Sequence, residues 1–305
     1  MCLKGSLLRT LALVLGSVAA CRPAGRSPGP AVLVDDAGVR LHLAAPPRRI
    51  ASLNPTTTEL LFAIGAGPLL VGRSSACDYP GQAASVPSLG GGFPPAVEAV
   101  AGARPDLVVL YHSPGNAAAA ARLGELNIPV LQLRTDRLAD VARAARLLGQ
   151  AVGAPAAGDS LAERLERELT AERARRGHFP TAIATLLLAW DQPVIALGAG
   201  SFVSELVELA GGRNVFGDIP APSAPVSLEA VAARSPDVVL LVGSEIPGLE
   251  RRPEWRALPA VRAGRLLRLT ESSSNRPSPR APAAIRALRA RLAALTTDSM
   301  PGDSP

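Results

Sequence analysis

Cysteine, histidine, methionine and aromatic residues are all scarce in this chain of 305 residues. It holds three Cys, three His and two Met, and Phe, Trp and Tyr together make up 3%. His42, His112 and His178 lie far apart, and neither His-x-x-x-His nor Cys-x-x-Cys occurs. Metal sites need clustered ligands, so no resident metal is expected. There is no Gly-x-Ser-x-Gly elbow and no phosphate loop ending in Lys-Ser or Lys-Thr, which removes two common enzyme signatures. Gly65-Ala-Gly67 closes a helix and so is not a dinucleotide fingerprint. Gly198-Ala-Gly200-Ser201 precedes a helix; it either offers amides to an anion or is a simple strand-to-helix turn. No catalytic set remains on which to build an enzyme.

Blocks of like charge are also missing. The formal charge is +6, but Lys4 and Arg9 belong to a removable leader and the other basic residues are dispersed. In RLERELTAERARR, Arg164 to Arg176, Glu alternates with Arg as on a solvated helix face, which argues against nucleic acid as a partner. Beyond the leader no apolar run is long enough to span a bilayer, which takes about twenty residues.

What the chain does have begins with that leader. Lys4 and Arg9 precede the apolar stretch Leu11 to Ala20, giving a signal peptide over 1–20. It ends in Val18-Ala19-Ala20-Cys21, which resembles a bacterial lipobox and makes Cys21 the lipidation candidate; an ordinary signal peptide that meets a Cys is the alternative. A Pro- and Gly-rich tether follows over 21–30. With Cys2 removed and Cys21 lipidated, Cys77 stands alone and no internal disulfide can form.

From Arg49 short apolar runs alternate with helical patterns, the mark of parallel sheets covered by helices. Ala31 to Leu43 reads as a hairpin turning at Asp35-Asp36-Ala37-Gly38. Strands are expected at Ile50 to Leu53, Leu107 to Tyr111, Val130 to Leu133, Ala182 to Trp190, Val194 to Leu197, Val238 to Val242 and Leu266 to Leu269. Thr56 to Ile64 reads as a helix opened by the capping box Thr56-x-x-Glu59. Gly153 to Gly158 interrupts the pattern before a long charged helix, Asp159 to Arg176.

The second half repeats the first. Glu98-Ala-Val-Ala-Gly-Ala-Arg-Pro-Asp106-Leu-Val-Val-Leu matches Glu229-Ala-Val-Ala-Ala-Arg-Ser-Pro-Asp237-Val-Val-Leu-Leu without a gap. A weaker echo joins Glu59-Leu-Leu-Phe-Ala-Ile-Gly to Glu205-Leu-Val-Glu-Leu-Ala-Gly. The duplication predicts an α/β protein of two Rossmann-like lobes with mainly parallel sheets joined by one long helix. The N-terminal lobe is expected over 31–152, the connecting helix over 153–178, the C-terminal lobe over 179–296 and a polar tail over 297–305. A ligand of such a pair belongs in the cleft between lobes.

Several stretches carry a family resemblance. They are Arg49-Ile-Ala-Ser-Leu-Asn-Pro-Thr-Thr-Thr-Glu-Leu-Leu-Phe-Ala-Ile-Gly, Cys77-Asp-Tyr-Pro80, Gly90-Gly-Gly-Phe93, Leu209-Ala-Gly-Gly-Arg-Asn-Val-Phe216, Val226-Ser-Leu-Glu229 and Trp255-x-x-Leu-Pro-Ala-Val-Arg-Ala-Gly-Arg265. In this order the chain resembles the two-lobe substrate-binding proteins, held by one rigid helix, that serve ABC importers of cobalamin, haem and ferric siderophores. It is most similar to the cobalamin-binding branch.

The resemblance implies a monomeric, lipid-anchored protein outside the cytoplasmic membrane that delivers a corrinoid to a permease driven by a cytoplasmic ATPase. Haem or a ferric siderophore is the alternative cargo, and a periplasmic lipoprotein enzyme a more distant one. A cobalt corrinoid or iron chelate is then a ligand, with no cofactor of the protein's own. Glu98 and Glu229 match the glutamates that dock on permease arginines. Pro55, Tyr79, Phe93, Tyr111, Trp190 and Arg276 fall at or near cleft positions. Ala76 and Ser223 stand where the cobalamin branch carries Tyr and Trp, and Ser272 where it carries an acid, which bears on the identity of the ligand. Trp255 is expected in the core.

Overall fold

The structure, a computed structural model, describes residues 31–176, 182–243, 246–270 and 272–297. The leader, Cys21, the tether, His178 and residues 298–305 lie outside them.

The hairpin comes first, β1 (Ala31–Val34) against β2 (Arg40–Leu43). Strands β3 (Ile50–Ser52), β4 (Leu70–Arg73), β5 (Leu107–Tyr111) and β6 (Val130–Leu133) then form an all-parallel sheet in the order β4-β3-β5-β6. Side chains of a strand alternate between faces, and both faces of this sheet are covered. Ile50, Leu107 and Val109 enter one core with helices α1 (Pro55–Ala63), α4 (Leu138–Ala151) and α5 (Pro155–Arg176). Ala51, Val108 and Leu110 enter another beneath α2 (Val97–Gly102) and α3 (Pro114–Glu125). Burial on both faces is why these strands read as unbroken apolar runs.

The second sheet has six strands: β7 (Ile183–Asp191), β8 (Val194–Leu197), β9 (Gly212–Asn214), β10 (Ser223–Pro225), β11 (Val238–Val242) and β12 (Leu266–Leu269). β9, β7, β11 and β12 run parallel, whereas β8 folds back on β7 and β10 on β8. Helices α6 (Phe202–Leu209), α7 (Leu228–Ala233), α8 (Pro253–Arg256), α9 (Pro259–Arg262), α10 (Ser272–Asn275) and α11 (Ala281–Thr297) complete this lobe. Trp255 is 1% exposed, in its core. The architecture is therefore the expected pair of α/β lobes. No helix of the described residues is long and apolar enough to cross a membrane.

Two local readings need correction. Thr56 and Glu59 do not form a capping box. Pro55 takes the first helical position, so the cap falls on Asn54, whose side chain accepts from the Thr56 amide at 2.9 Å. That leaves Glu59 too deep in the helix to reach back, and it turns toward the other lobe. The long helix also starts at Pro155 and not Asp159. Gly158 lies inside it as a close contact: a Cβ there would sit 2.6 Å from the Ala145 carbonyl oxygen of α4.

α5 serves both lobes with one stripe. Leu161 and Leu165 belong to the N-terminal core and Leu169 to the C-terminal core. Arg146 of α4 grips Glu166 with two bonds of 2.6 and 2.8 Å. One turn on from Leu169, fully buried Glu172 takes Arg289 at 2.6 Å, Arg286 at 3.1 Å and Arg175 at 2.6 Å. Burial alone would raise the Glu172 carboxyl, but the arginines outweigh it and hold it below the usual glutamate range.

Removing one member of a buried ion cluster costs about 3–5 kcal/mol, and the exposure of Arg175 and Arg286 discounts this to about 2–3 kcal/mol. Glu172→Gln is expected to lower the melting temperature by about 4–12 °C. Because the folded carboxyl is depressed, this stability is fully present above the unfolded glutamate value and is lost as pH falls through the folded one. Melts at pH 7 should separate the two proteins, and melts in strong acid should bring them together.

Candidate functional site

In open α/β sheets a ligand crevice forms beyond the carboxyl ends of the strands, where strand order reverses. In the first sheet that point lies between β3 and β5. A cavity of about 430 Å³ opens there, within the range of about 300–1,000 Å³ usual for small-molecule sites. Leu53, Asn54, Pro55 and Thr56 reach it from the end of β3, Tyr111 from β5, and Thr135 and Asp136 from beyond β6. Arg276 and Pro277 of the second lobe close it.

Four of the sequence-predicted contacts thus line one cavity: Pro55, Phe93, Tyr111 and Arg276. Phe93 is 63% exposed, and its ring packs over Gly115, where a Cβ would come within 2.6 Å of it. The Tyr111 hydroxyl donates to Asp136 at 2.6 Å. Burial first, and then that neighbouring carboxylate, push its pKa up to about 12, so the phenol keeps its proton. Arg276 is engaged by Glu59 at 3.1 Å and by Asp78.

Tyr79 and Trp190 lie elsewhere. Tyr79 lines a different cavity, its ring lying 3.8 Å beneath the Arg280 guanidinium. Trp190, 46% exposed, sits at the turn from β7 to β8 with its indole N–H on the Gln192 carbonyl at 2.8 Å. Ala76 is in the cavity wall, and Ser223 is exposed on β10.

Asn54, Thr135 and Asp136 are among the lining groups not read from the sequence as contacts. The Asn54 amide donates to Thr135 Oγ1 at 3.1 Å, tying the end of β3 to the loop after β6. Their place just past strand ends was the available signal. A larger cavity of about 680 Å³ lies off the cleft, between the β1–β2 hairpin and α3. Its walls come from the N-terminal lobe alone, so the cleft, where Tyr111, Asp136 and Arg276 converge from two lobes, is the better candidate.

The duplicated unit keeps its geometry. Glu98 and Glu229 are exposed in the first turns of α2 and α7. Six residues on, Arg104 and Ser235 share a positive φ, 49° and 44°. Asp106 then accepts the Arg48 and Arg49 amides at 2.8 and 2.9 Å, and Asp237 the Ala184 amide at 2.9 Å, each at the start of its lobe's first sheet strand. Its own backbone amide and the Ser227 hydroxyl hold the Glu229 carboxyl below its usual range. Among the described residues no group of three His, Cys, Asp or Glu is placed to hold a metal.

Comparison with known proteins agrees with this architecture. The profile of the periplasmic binding protein family matches residues 50–272. The vitamin B12-binding protein of Vibrio parahaemolyticus is 29% identical over 236 residues, 77% of this chain and 86% of that protein. The periplasmic haem-binding protein of Roseiflexus sp. RS-1 superposes with a TM-score of 0.75 at 26% identity, covering 81% of this chain and 98% of that one. The periplasmic vitamin B12 binding protein of Vibrio cholerae gives a TM-score of 0.70 at 27% identity, covering 82% and 98%.

Proposed function

The chain belongs to the periplasmic binding protein family, and on that premise we propose that it captures a corrinoid outside the cytoplasmic membrane and delivers it to an ABC importer. Members of this family bind cargo for transport and are not enzymes. The supporting observation is the cavity at the carboxyl end of the first sheet, with Tyr111 and Phe93 on one lobe and Arg276 from the other. A flat macrocycle is well matched to ring faces. The curated relative from Vibrio parahaemolyticus, matched over most of both chains, supports the ligand class.

Haem is the second reading, favoured by the likeness to the Roseiflexus protein. The charges in the cleft weigh against it. Asp136 in the lining adds a negative charge unfavourable to the carboxylates of haem, while Arg276 is already shared by Glu59 and Asp78. Among the described residues the cavity lining holds no His, Cys or Met for an open iron coordination site, and the Tyr111 hydroxyl is committed as a donor. A chelate with amide N–H groups finds an acceptor in Asp136 instead.

Docking is assigned to Glu98 and Glu229, exposed at equivalent places on the two lobes, because carboxylates so placed suit pairing with arginines of a permease. Anchoring is assigned to lipid on Cys21, with 21–30 as tether and the lobe limits 31–152 and 179–296. Calorimetric titration of the mature chain tests the cargo against cobalamin, cobinamide, haemin and a ferric hydroxamate. Tight binding of a corrinoid alone is expected. Haemin binding with no corrinoid binding would replace the first reading by the second.

A further inference from the structure

We propose that Glu59 and Glu205, the paired glutamates of the weaker sequence echo, are reciprocal latches that hold the two lobes at a fixed separation before any ligand arrives. Each stands on the helix that opens its own lobe's core, α1 or α6, and each is spent on the opposite lobe. Glu59 is 2% exposed. It accepts Arg280 through two bonds of 2.7 and 2.9 Å, Ser278 at 2.8 Å and Arg276 at 3.1 Å, all from the segment leading into α11. Beside it, Thr56 Oγ1 donates to the Pro277 carbonyl at 2.7 Å.

Glu205 does the same in the other direction. It accepts the Leu138 amide at 3.0 Å and the Arg137 guanidinium at 3.0 Å, where the chain enters α4. Arg137 also donates to the Ala199 carbonyl at 2.8 Å, and the Leu138 side chain is buried in the C-terminal core.

In both lobes the anchored segment follows the last sheet strand and precedes the last helix, so the two latches are related by the duplication. A capping role would keep each glutamate within its own helix, and these bonds lead away from it. Together with α5 they give the lobes three attachments, more than a single-helix hinge would need. The cost of ordering the cleft is then met at folding and not at binding, which is preorganisation. Arg276, on the cavity wall, is held in place by the same contact, so Glu59 is also a positioning residue for the cleft. None of this depends on which chelate is carried.

Pulsed electron-spin resonance measures it without ligand, with labels at Ala118→Cys on the N-terminal lobe and Glu254→Cys on the C-terminal lobe of the soluble chain lacking residues 1–21, so that Cys21 is absent. Cys77 is fully buried and takes no label. The parent should give one narrow distance distribution, and Glu59→Gln with Glu205→Gln should broaden it about twofold, as a hinge does when released. Arg137→Gln, at a half-exposed donor, should broaden it less and gives the answer alone where the double variant does not fold. A broad distribution in the parent, or an unchanged one in the folded variants, would overturn the latch.

Discussion

Reversing both charges proposed for docking, Glu98→Arg with Glu229→Arg, is expected to reduce uptake at least about a hundredfold while leaving ligand affinity unchanged. Both side chains are exposed, neither lines the cleft cavity, and each belongs to a short helix on the outside of its sheet. Close charge pairs across an interface couple by about 1.5–7 kcal/mol. Losing two of them, and adding repulsion against the permease arginines, removes about 3 kcal/mol or more, and about 1.4 kcal/mol is a factor of ten. Either reversal alone should leave partial uptake. Cellular uptake of labelled corrinoid, set beside calorimetry on the purified variants, separates transport from binding. Normal uptake by the double variant would remove the docking assignment and leave the ligand site standing.

The second large effect is expected at Tyr111. Its ring and hydroxyl sit on the cavity wall, the hydroxyl fixed by Asp136 at 2.6 Å. Truncating an aromatic anchor of this kind costs about 2–4 kcal/mol, so Tyr111→Ala should weaken ligand binding about 30- to 1,000-fold. Tyr111→Phe keeps the ring and gives up one hydrogen bond, worth about 1 kcal/mol, and should stay within about tenfold of the parent. With its pKa near 12, Tyr111 should add no pH dependence to binding between pH 6 and 10. Equal losses from both substitutions would show that the hydroxyl, and not the ring, carries the contact.

The fold was legible where burial on two faces wrote it into composition. β5, β6, β8, β11 and β12 fall on the expected residues, because each is a short apolar run bounded by turns. β9 and β10 have no such run, and that of β4 is cut short at Gly72. Gly72 of β4 packs against the Leu89 side chain, and the β9 and β10 segments, GRN and SAP, carry glycine, proline and polar residues. Glu98 and Glu229, the pair proposed for docking, stood out because duplication marks them twice.

The cleft was legible only in part. Asp136 looks like any loop acid until the fold brings Tyr111 to it across 25 residues. Glu59 misled by its spacing from Thr56: the capping-box pattern was present, but Pro55 and Asn54 had moved the helix start. Its actual partners lie more than 200 residues away, and no local pattern reports contacts at that range.

The position of cobalt in crystals grown with cobinamide tests directly whether a corrinoid binds in the cleft. Anomalous scattering at the cobalt edge locates the metal without reference to the rest of the ligand. A single strong peak is expected in the cleft, over the wall formed by Tyr111 and Phe93 and facing Arg276. A peak in the cavity beside the β1–β2 hairpin, or no bound cobalt at saturating ligand, would contradict it.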